Sequence, residues 1–262
     1  MKWIDAHNHL HDARLQPHLP AILPALDLQC AVVNGTSERD WPAVAGLAAR
    51  HAWVLPSFGL HPWQVPARSP QWLDALRRQL DAHPTAGVGE IGLDGWIEGH
   101  DLADQTAVFT AQLTLAAERD LPVTIHCLQA WSPLWEILRT QPLPARGFLL
   151  HAYGGSMEMM REFAKRGARF SFSPYFLHQR KATQRAVFAA LPEDRLLVET
   201  DAPDLRPPDA QNPHPLRDET GASLNHPANI ELAYAALAGI RGMEVEALAK
   251  VVAENFRRMF GR

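Results

Sequence analysis

Short apolar runs recur eight times along the chain, separated by longer segments of mixed polarity. Within a run, apolar or β-branched residues occupy nearly every position, so the expected strands are buried on both faces, as in a parallel sheet. The runs are residues 2–5, 31–34, 53–59, 86–91, 121–126, 147–151, 168–173 and 196–201.

The segments between the runs carry helical patterns. In residues 101–120 the apolar positions Val108, Leu113, Leu115 and Ala116 suit an amphipathic helix, and Asp101 is placed to cap it. Further helices are expected at 41–51, 71–82, 157–166, 182–190, 228–240 and 245–258. Strands alternating with helices predict a (β/α)8 barrel. At 262 residues, the chain has the length of one such barrel, so a single domain over residues 1–262 is expected.

Composition narrows the functional class. The net charge is −4, which argues against a basic nucleic-acid scaffold but not against a nuclease whose bound metals supply positive charge. Two cysteines, Cys30 and Cys127, are too few for a disulfide framework. With no secretory signal and no run of membrane-spanning length, we expect a cytoplasmic protein, complete as a monomer. The sequence contains neither a phosphate-binding loop nor a dinucleotide-binding motif, so no organic cofactor is expected.

Six residues of metal-ligating types lie at the ends of five of the apolar runs. Because the carboxyl ends of barrel strands face the same way, ligands at those ends can converge. Imidazole nitrogen and carboxylate oxygen are good ligands for divalent ions. The predicted ligands are His7, His9, Glu90, His126, His151 and Asp201.

Most of the predicted ligands have an alternative explanation. A single histidine at a strand end is more often structural than a ligand, but His126 and His151 end consecutive strands, which favours a shared site. His7 and His9 share one face of a strand, as does Asp5, which is placed to orient a ligand; surface histidine pairs also show this spacing. Glu90, in an apolar Gly-rich run, either bridges two metals or forms a salt bridge inside the barrel.

Asp201 is placed both to bind metal and to accept the proton of metal-bound water, so Glu90 and Asp201 are the expected catalytic carboxylates. Glu199 lies on the same strand face as Asp201 and is expected to support a ligand. His61, Trp131 and Tyr153 closely follow strands and are expected to contact substrate, the two aromatic rings by stacking on bases. Packing of loops over the barrel is the alternative for both rings.

These residues resemble the TatD family of metal-dependent hydrolases, among the amidohydrolase-like barrels. The resemblance runs from Asp5 to about Asn229, and its motifs are specific in their order. They are Asp5-x-His7-x-His9, Gly59-x-His61-Pro62, Gly89-Glu90-Ile91-Gly92-Leu93-Asp94, Pro122-Val123-x-Ile125-His126, His151 with Gly154-Gly155, Glu199-Thr200-Asp201-Ala202-Pro203 and Asn225-His226-Pro227-Ala228-Asn229.

The resemblance implies two divalent ions, with magnesium, manganese and zinc as candidates. His7 and His9 would hold one ion with Asp201, His126 and His151 the second, and Glu90 would bridge them. It also implies a deoxyribonuclease that trims DNA from its 3′ end. The family often carries an arginine two positions after the fifth-strand histidine, where this chain has Leu128.

The missing arginine and the acidic net charge keep other substrates open. The alternatives are a metal-dependent esterase, such as a D-aminoacyl-tRNA deacylase, and a small-molecule amidohydrolase. A barrel that binds without catalysis is disfavoured, because no predicted ligand is lost.

Overall fold

Eight parallel strands in consecutive order form the barrel of this protein. The computed structural model describes residues 1–99 and 101–261. Each strand pairs with the next one along the chain, from β1 to β8. The predicted (β/α)8 architecture is therefore confirmed. The strands are β1 (Trp3–Asn8), β2 (Leu28–Asn34), β3 (Val54–Phe58), β4 (Gly87–Asp94), β5 (Val123–Leu128), β6 (Phe148–Leu150), β7 (Ala168–Phe172) and β8 (Leu196–Val198).

The residues after β8 close the barrel against β1. Asp201 N donates to His7 O at 3.0 Å, and His9 N donates to Ala202 O at 2.8 Å. The tyrosine hydroxyl of Tyr234, from a later helix, donates to Ile4 O at 3.0 Å on the outer side of β1. The first and last predicted ligand segments are thereby joined directly through the backbone.

Helices surround the barrel and bury their apolar sides against it. They are α1 (Leu19–Ile22), α2 (Trp41–Arg50), α3 (Trp72–Ala82), α4 (Leu102–Glu118), α5 (Trp131–Thr140), α6 (Met157–Lys165), α7 (Ala182–Ala190), α8 (Ile230–Arg241) and α9 (Val245–Phe260). Asp101 caps α4, accepting from Ala103 N and Asp104 N at 3.0 Å each. Among the described helices, none has the length and apolarity needed to cross a bilayer.

Helix α5 was not predicted, although its sequence carried a signal. Leu134, Ile137 and Leu138 are buried at helical spacing and face the barrel. Trp131 begins this helix, so the structure places it on a packed element instead of a free loop. The short α1 was also missed.

Strand lengths differ from prediction at the end that carries the ligands. Strands β1, β4 and β5 run past their predicted ends because the residues that follow the apolar runs continue the pairing, as Gly92 with His126 and Asp94 with Leu128 show. Strands β6 and β8 have only three residues each, so His151 and Asp201 follow them.

The long segment after β8 contains a small hairpin. Its strands are β9 (Pro215–Arg217) and β10 (Ser223–Asn225), which pair antiparallel. Asn225 anchors the hairpin to the barrel, since its Nδ2 donates to Thr200 O at 2.7 Å. This segment is thus attached beside the Asp201 end of β8.

Candidate metal centre

The structure brings all six predicted ligands together at the carboxyl ends of the strands. Strand β1 supplies two of them, β4 and β5 one each, and the residues just after β6 and β8 the last two. Five are nearly inaccessible to solvent and His126 is half-buried. Side chains separated by as many as 194 positions therefore share one polar site inside an apolar barrel. The six are His7, His9, Glu90, His126, His151 and Asp201.

One side of the site is formed by His7, His9 and Asp201. The Nε2 atoms of the two histidines lie 3.2 Å apart. Asp201 Oδ1 lies 3.2 Å from His7 Nε2 and 3.4 Å from His9 Nε2. Glu90 Oε2 faces the same two nitrogens at 3.5 and 3.2 Å. Two imidazoles and two carboxylate oxygens thus converge on one point.

The other side is formed around the second oxygen of Glu90. His151 Nε2 lies 2.8 Å and His126 Nδ1 3.1 Å from Glu90 Oε1. These two nitrogens are 3.4 Å from each other. The two oxygens of one buried carboxylate therefore face two separate sets of nitrogen donors, which is the arrangement expected of a carboxylate between two cations.

The electrostatics of the site also fit bound cations. Burial alone would raise the pKa of Glu90, yet the facing histidines hold it well below its ordinary value. Burial opposes charge on His9 and His151 as well, but the facing carboxylates hold the pKa of each well above its ordinary value. The buried carboxylates thus require compensating positive charge, for which protons and metal ions compete.

Hydrogen bonds behind the ligands fix two of the rings. His126 Nε2–H donates to Asp94 Oδ2 at 2.9 Å, which leaves Nδ1 as the free lone pair facing Glu90. His9 Nδ1–H donates to Asn34 O at 2.8 Å, which leaves Nε2 free in the same way. Both bonds select the tautomer that a metal ligand needs.

Asn34 contacts two of the predicted ligands, His7 and His9, and was missed by the sequence reasoning. Its Nδ2 lies 3.0 Å from His7 Nδ1, while its Oδ1 is buried with no hydrogen-bond partner among the described residues. Rotation of the amide would let Oδ1 accept from His7 Nδ1–H and free Nε2 for a metal. Asn34 ends the apolar run of β2, so the rule that found the ligands would also have found it.

Glu199 lies behind His151, just after the end of β8. Its Oε1 is 3.7 Å from His151 Nδ1, and its Oε2 accepts a hydrogen bond from the Ser171 hydroxyl. Within the described part of the chain, His151 Nδ1 and Glu199 Oε1 are both buried without a hydrogen bond. Glu199 is thus positioned to orient His151 by charge.

Asp5 contacts Thr200 and the backbone of His7, and not a ligand ring. Its carboxylate accepts from Thr200 N at 3.0 Å, Thr200 Oγ1 at 2.6 Å and His7 N at 3.2 Å. It therefore joins the two segments that carry His7 and Asp201. Burial raises the pKa of Asp5 to about 7.

His61 lies directly beside the predicted ligand Glu90. Its Nε2 is 3.5 Å from Glu90 Oε1, and its Nδ1 accepts from Trp63 N at 3.2 Å. In the neutral ring the proton is therefore on Nε2, pointing into the site. Burial lowers the pKa of His61 to about 3, which keeps the ring neutral.

Tyr153 does not lie in the mouth of the site. Its side chain is fully buried, its hydroxyl donates to Ser156 O at 2.9 Å, and its ring packs edge-on against Phe170 and Trp131. A ring enclosed in this way has no face for a base. Trp131 is half-buried in the same aromatic cluster. Both rings are therefore placed as expected for packing over the barrel, the alternative to stacking on bases.

Comparisons with known proteins point to one family. The family model described as TatD related DNase matches residues 4–261. The 3′-5′ ssDNA/RNA exonuclease TatD of Erwinia amylovora is 30% identical over 88% of this chain and 87% of its own. An uncharacterized metal-dependent hydrolase, YabD of Bacillus subtilis, is 28% identical over 98% of both chains.

Solved structures show the same architecture. The crystal structure of YjjV, a TatD homologue from Escherichia coli, has a TM-score of 0.90 at 26% identity, covering 99% of this chain and 98% of that one. A TatD family hydrolase from Entamoeba histolytica has a TM-score of 0.81 at 17% identity, covering 99% and 98%, and shows the fold alone. The family match extends over nearly the whole chain, so the protein belongs to the TatD related DNase family of metal-dependent hydrolases.

Proposed function

We propose that this protein is a metal-dependent phosphodiesterase that removes nucleotides from the 3′ end of single-stranded nucleic acid. The observation that carries the proposal is the Glu90 carboxylate, whose two oxygens face two separate sets of histidines. The family match and the relative named as a 3′-5′ ssDNA/RNA exonuclease support the same activity.

The proposed cofactor is a pair of divalent ions. His7, His9 and Asp201 would hold one ion, His126 and His151 the other, and Glu90 both. Bound there, such ions activate water for attack and stabilise the leaving oxygen. Magnesium, manganese and zinc are the candidates, and the histidine-rich donor set favours the last two.

The protein side chains would position the reaction and move its protons. Asp201 is the proposed acceptor for the proton of the attacking water, since burial raises its pKa but the facing His7 and His9 hold it below its ordinary value, so it stays ionised. His61 would donate its Nε2–H to a phosphate oxygen of the substrate. Burial keeps the ring neutral, and because Nδ1 accepts from Trp63 N, the one ring proton stays on Nε2 for this hydrogen bond.

Cations for the substrate backbone come from the loop after β7. Leu128 is exposed where the family often carries an arginine. Lys181 Nζ and Arg180 Cζ lie 5.0 and 5.5 Å from the centre of the Tyr175 ring, at the carboxyl end of the barrel. Among the described residues neither cation pairs with a carboxylate. We propose that they attract the phosphates that no arginine at position 128 can hold.

The test uses a 5′-labelled single-stranded oligonucleotide with metal-stripped protein, into which magnesium, manganese or zinc is titrated. Shortening from the 3′ end should require metal and should be lost in Glu90→Gln, with circular dichroism unchanged. Glu136→Gln, on the exposed side of α5, is the matched control. Full activity of Glu90→Gln would overturn the proposal.

The same experiment separates substrate from site. If wild-type protein binds two equivalents of metal but leaves every oligonucleotide intact, the phosphodiesterase proposal is wrong, and aminoacyl-tRNA esters are the next substrates to assay. If metal binding saturates at one equivalent, the two-ion proposal fails even where shortening occurs.

The remaining proposals concern the protein's state. We propose a monomeric single-domain protein acting in the cytoplasm, where a reducing environment would keep Cys30 and Cys127 as the thiols that the structure shows. Light scattering after size exclusion tests the monomer, and a mass near 58 kDa, twice the 29.2 kDa of the chain, would contradict it.

A further inference from the structure

Exposed large apolar side chains concentrate on one side of the metal centre. Within the described residues, Met1 is one such side chain, and the other three lie at the carboxyl ends of consecutive strands. Trp63 follows β3 and is 45% exposed, Trp96 follows β4 and is 60% exposed, and Leu128 ends β5 and is 39% exposed. We call these three residues the apolar rim.

The apolar rim is attached to the metal centre through one buried carboxylate. Asp94 Oδ2 accepts from both Trp63 Nε1 at 2.8 Å and His126 Nε2 at 2.9 Å. Its Oδ1 accepts from the backbone nitrogen of Trp96 at 2.7 Å. Leu128 lies beside Asp94 in the pairing of β4 with β5. Each member of the rim therefore contacts or lies beside Asp94, which in turn is hydrogen-bonded to the predicted ligand His126.

Such exposure of indole rings needs a reason. Tryptophan is highly buried on average, and exposing apolar surface costs about 25 cal/mol per Å². These two rings stay in water although the barrel top offers buried positions, such as that of Tyr153. An indole face at the mouth of a site is a stacking surface that accepts any base.

We propose that the apolar rim is the platform on which the 3′-terminal bases of a single strand stack. This inference rests on the proposed nuclease function and adds the residues that hold the bases. Leu128 extends the platform with an apolar contact where an arginine would hold a phosphate. In a duplex every internal base is covered on both faces by its neighbours and only the end pair exposes one face, so the platform favours single strands.

Trp96→Ala is the cleanest perturbation. The Trp96 ring takes part in no hydrogen bond or ring contact among the described residues, whereas Trp63→Ala would also remove the bond to Asp94. Trp53→Phe is the control, because Trp53 precedes β3 and so lies at the opposite end of the barrel, and phenylalanine keeps an aromatic ring where Trp53 packs half-buried against the core. Trp96→Phe keeps an aromatic face and should restore most of the function.

The measurement compares two single-stranded oligonucleotides, one with all its bases and one abasic at its three 3′-terminal positions. For manganese-loaded Trp96→Ala, KM on the complete strand should rise about 5- to 150-fold, with kcat within about twofold. KM on the abasic strand should not change. Fluorescence anisotropy with metal-stripped protein should show the same selective loss of binding.

Different failures have different meanings. An unchanged KM for Trp96→Ala on the complete strand would overturn the platform alone. An equal loss on both strands would also overturn it, since a structural role does not distinguish bases. A wild-type protein that shortens neither strand would overturn the proposed function and the platform with it.

Discussion

Asp94→Asn tests whether one buried carboxylate orients the metal centre. The side chain is fully buried and accepts four hydrogen bonds, from His126 Nε2, Trp63 Nε1, Trp96 N and Ile97 N, at 2.7 to 3.1 Å. Burial raises the pKa of Asp94, but its bond to His126 and its other donors lower it to about 2, so the carboxylate is charged in any ordinary assay.

The expected magnitude follows from the geometry. Asparagine has the same shape but only one oxygen, so two of the four donors must face its NH₂ group. If that group faces His126, the imidazole proton is driven to Nδ1, the atom that faces Glu90. Loss of such a ligand-orienting bond typically lowers metal affinity 10- to 100-fold, or about 1.4 to 2.8 kcal/mol. Each unsatisfied buried donor also costs about 1–3 kcal/mol of folding free energy.

The assay is calorimetric titration of manganese into metal-stripped protein at pH 8, with urea unfolding of the same samples. Asp74→Asn is the matched control, since Asp74 is exposed on α3 and pairs only with Arg77 in the described structure. Asp94→Asn should show weaker metal binding and a lower unfolding midpoint. A manganese Kd within twofold of wild type would refute the argument that Asp94 sets the His126 tautomer.

Three further predictions concern residues that support the fold around the site. Gly92→Ala would place a Cβ 1.9 Å from the His126 carbonyl oxygen at φ +147°, so it should destabilise folding by at least about 3 kcal/mol in urea unfolding, whereas Gly154→Ala should be neutral. Tyr153→Phe removes one hydrogen bond and should lower the free energy of unfolding by about 1 kcal/mol, with nuclease activity within twofold of wild type. A large loss of activity would contradict the placement of Tyr153 in the core. Burial and two neighbouring histidines lower the pKa of His226 to about 4, so stability should be lost as pH falls from 6.5 through 4. His226→Asn, which keeps a capping side chain, should lose less stability than wild type between pH 7 and 4.5, and an identical loss would be evidence against this origin.

Periodicity and residue type were sufficient to predict the barrel and the residues that converge at the carboxyl ends of its strands. A strand buried on both faces must be apolar throughout, so the eight runs were visible without any tertiary information. The carboxyl ends of parallel strands meet at one face, so polar residues at those ends had to be neighbours. His7, Glu90 and Asp201 could therefore be assigned to one site from sequence order alone.

Atomic detail could not be predicted from the sequence. Alternation of strand faces does not say which nitrogen of His126 faces the site, because the bond from its other nitrogen to Asp94 decides that. Nor does it separate an aromatic ring in the mouth from one in the core. Tyr153 and Trp96 both follow a strand closely, yet one is fully buried and the other is 60% exposed.

The sequence by itself thus determined the strand order, the common face of the site and the chemical types of the residues that line it, since these depend on local pattern and on a topology with few alternatives. Tertiary structure alone decided that Glu90 presents one oxygen to each histidine set, that Asn34 and Asp94 orient the rings, and that the indoles after β3 and β4 remain in solvent. The physical reason is that hydrogen-bond direction and side-chain burial depend on packing between residues far apart in the chain.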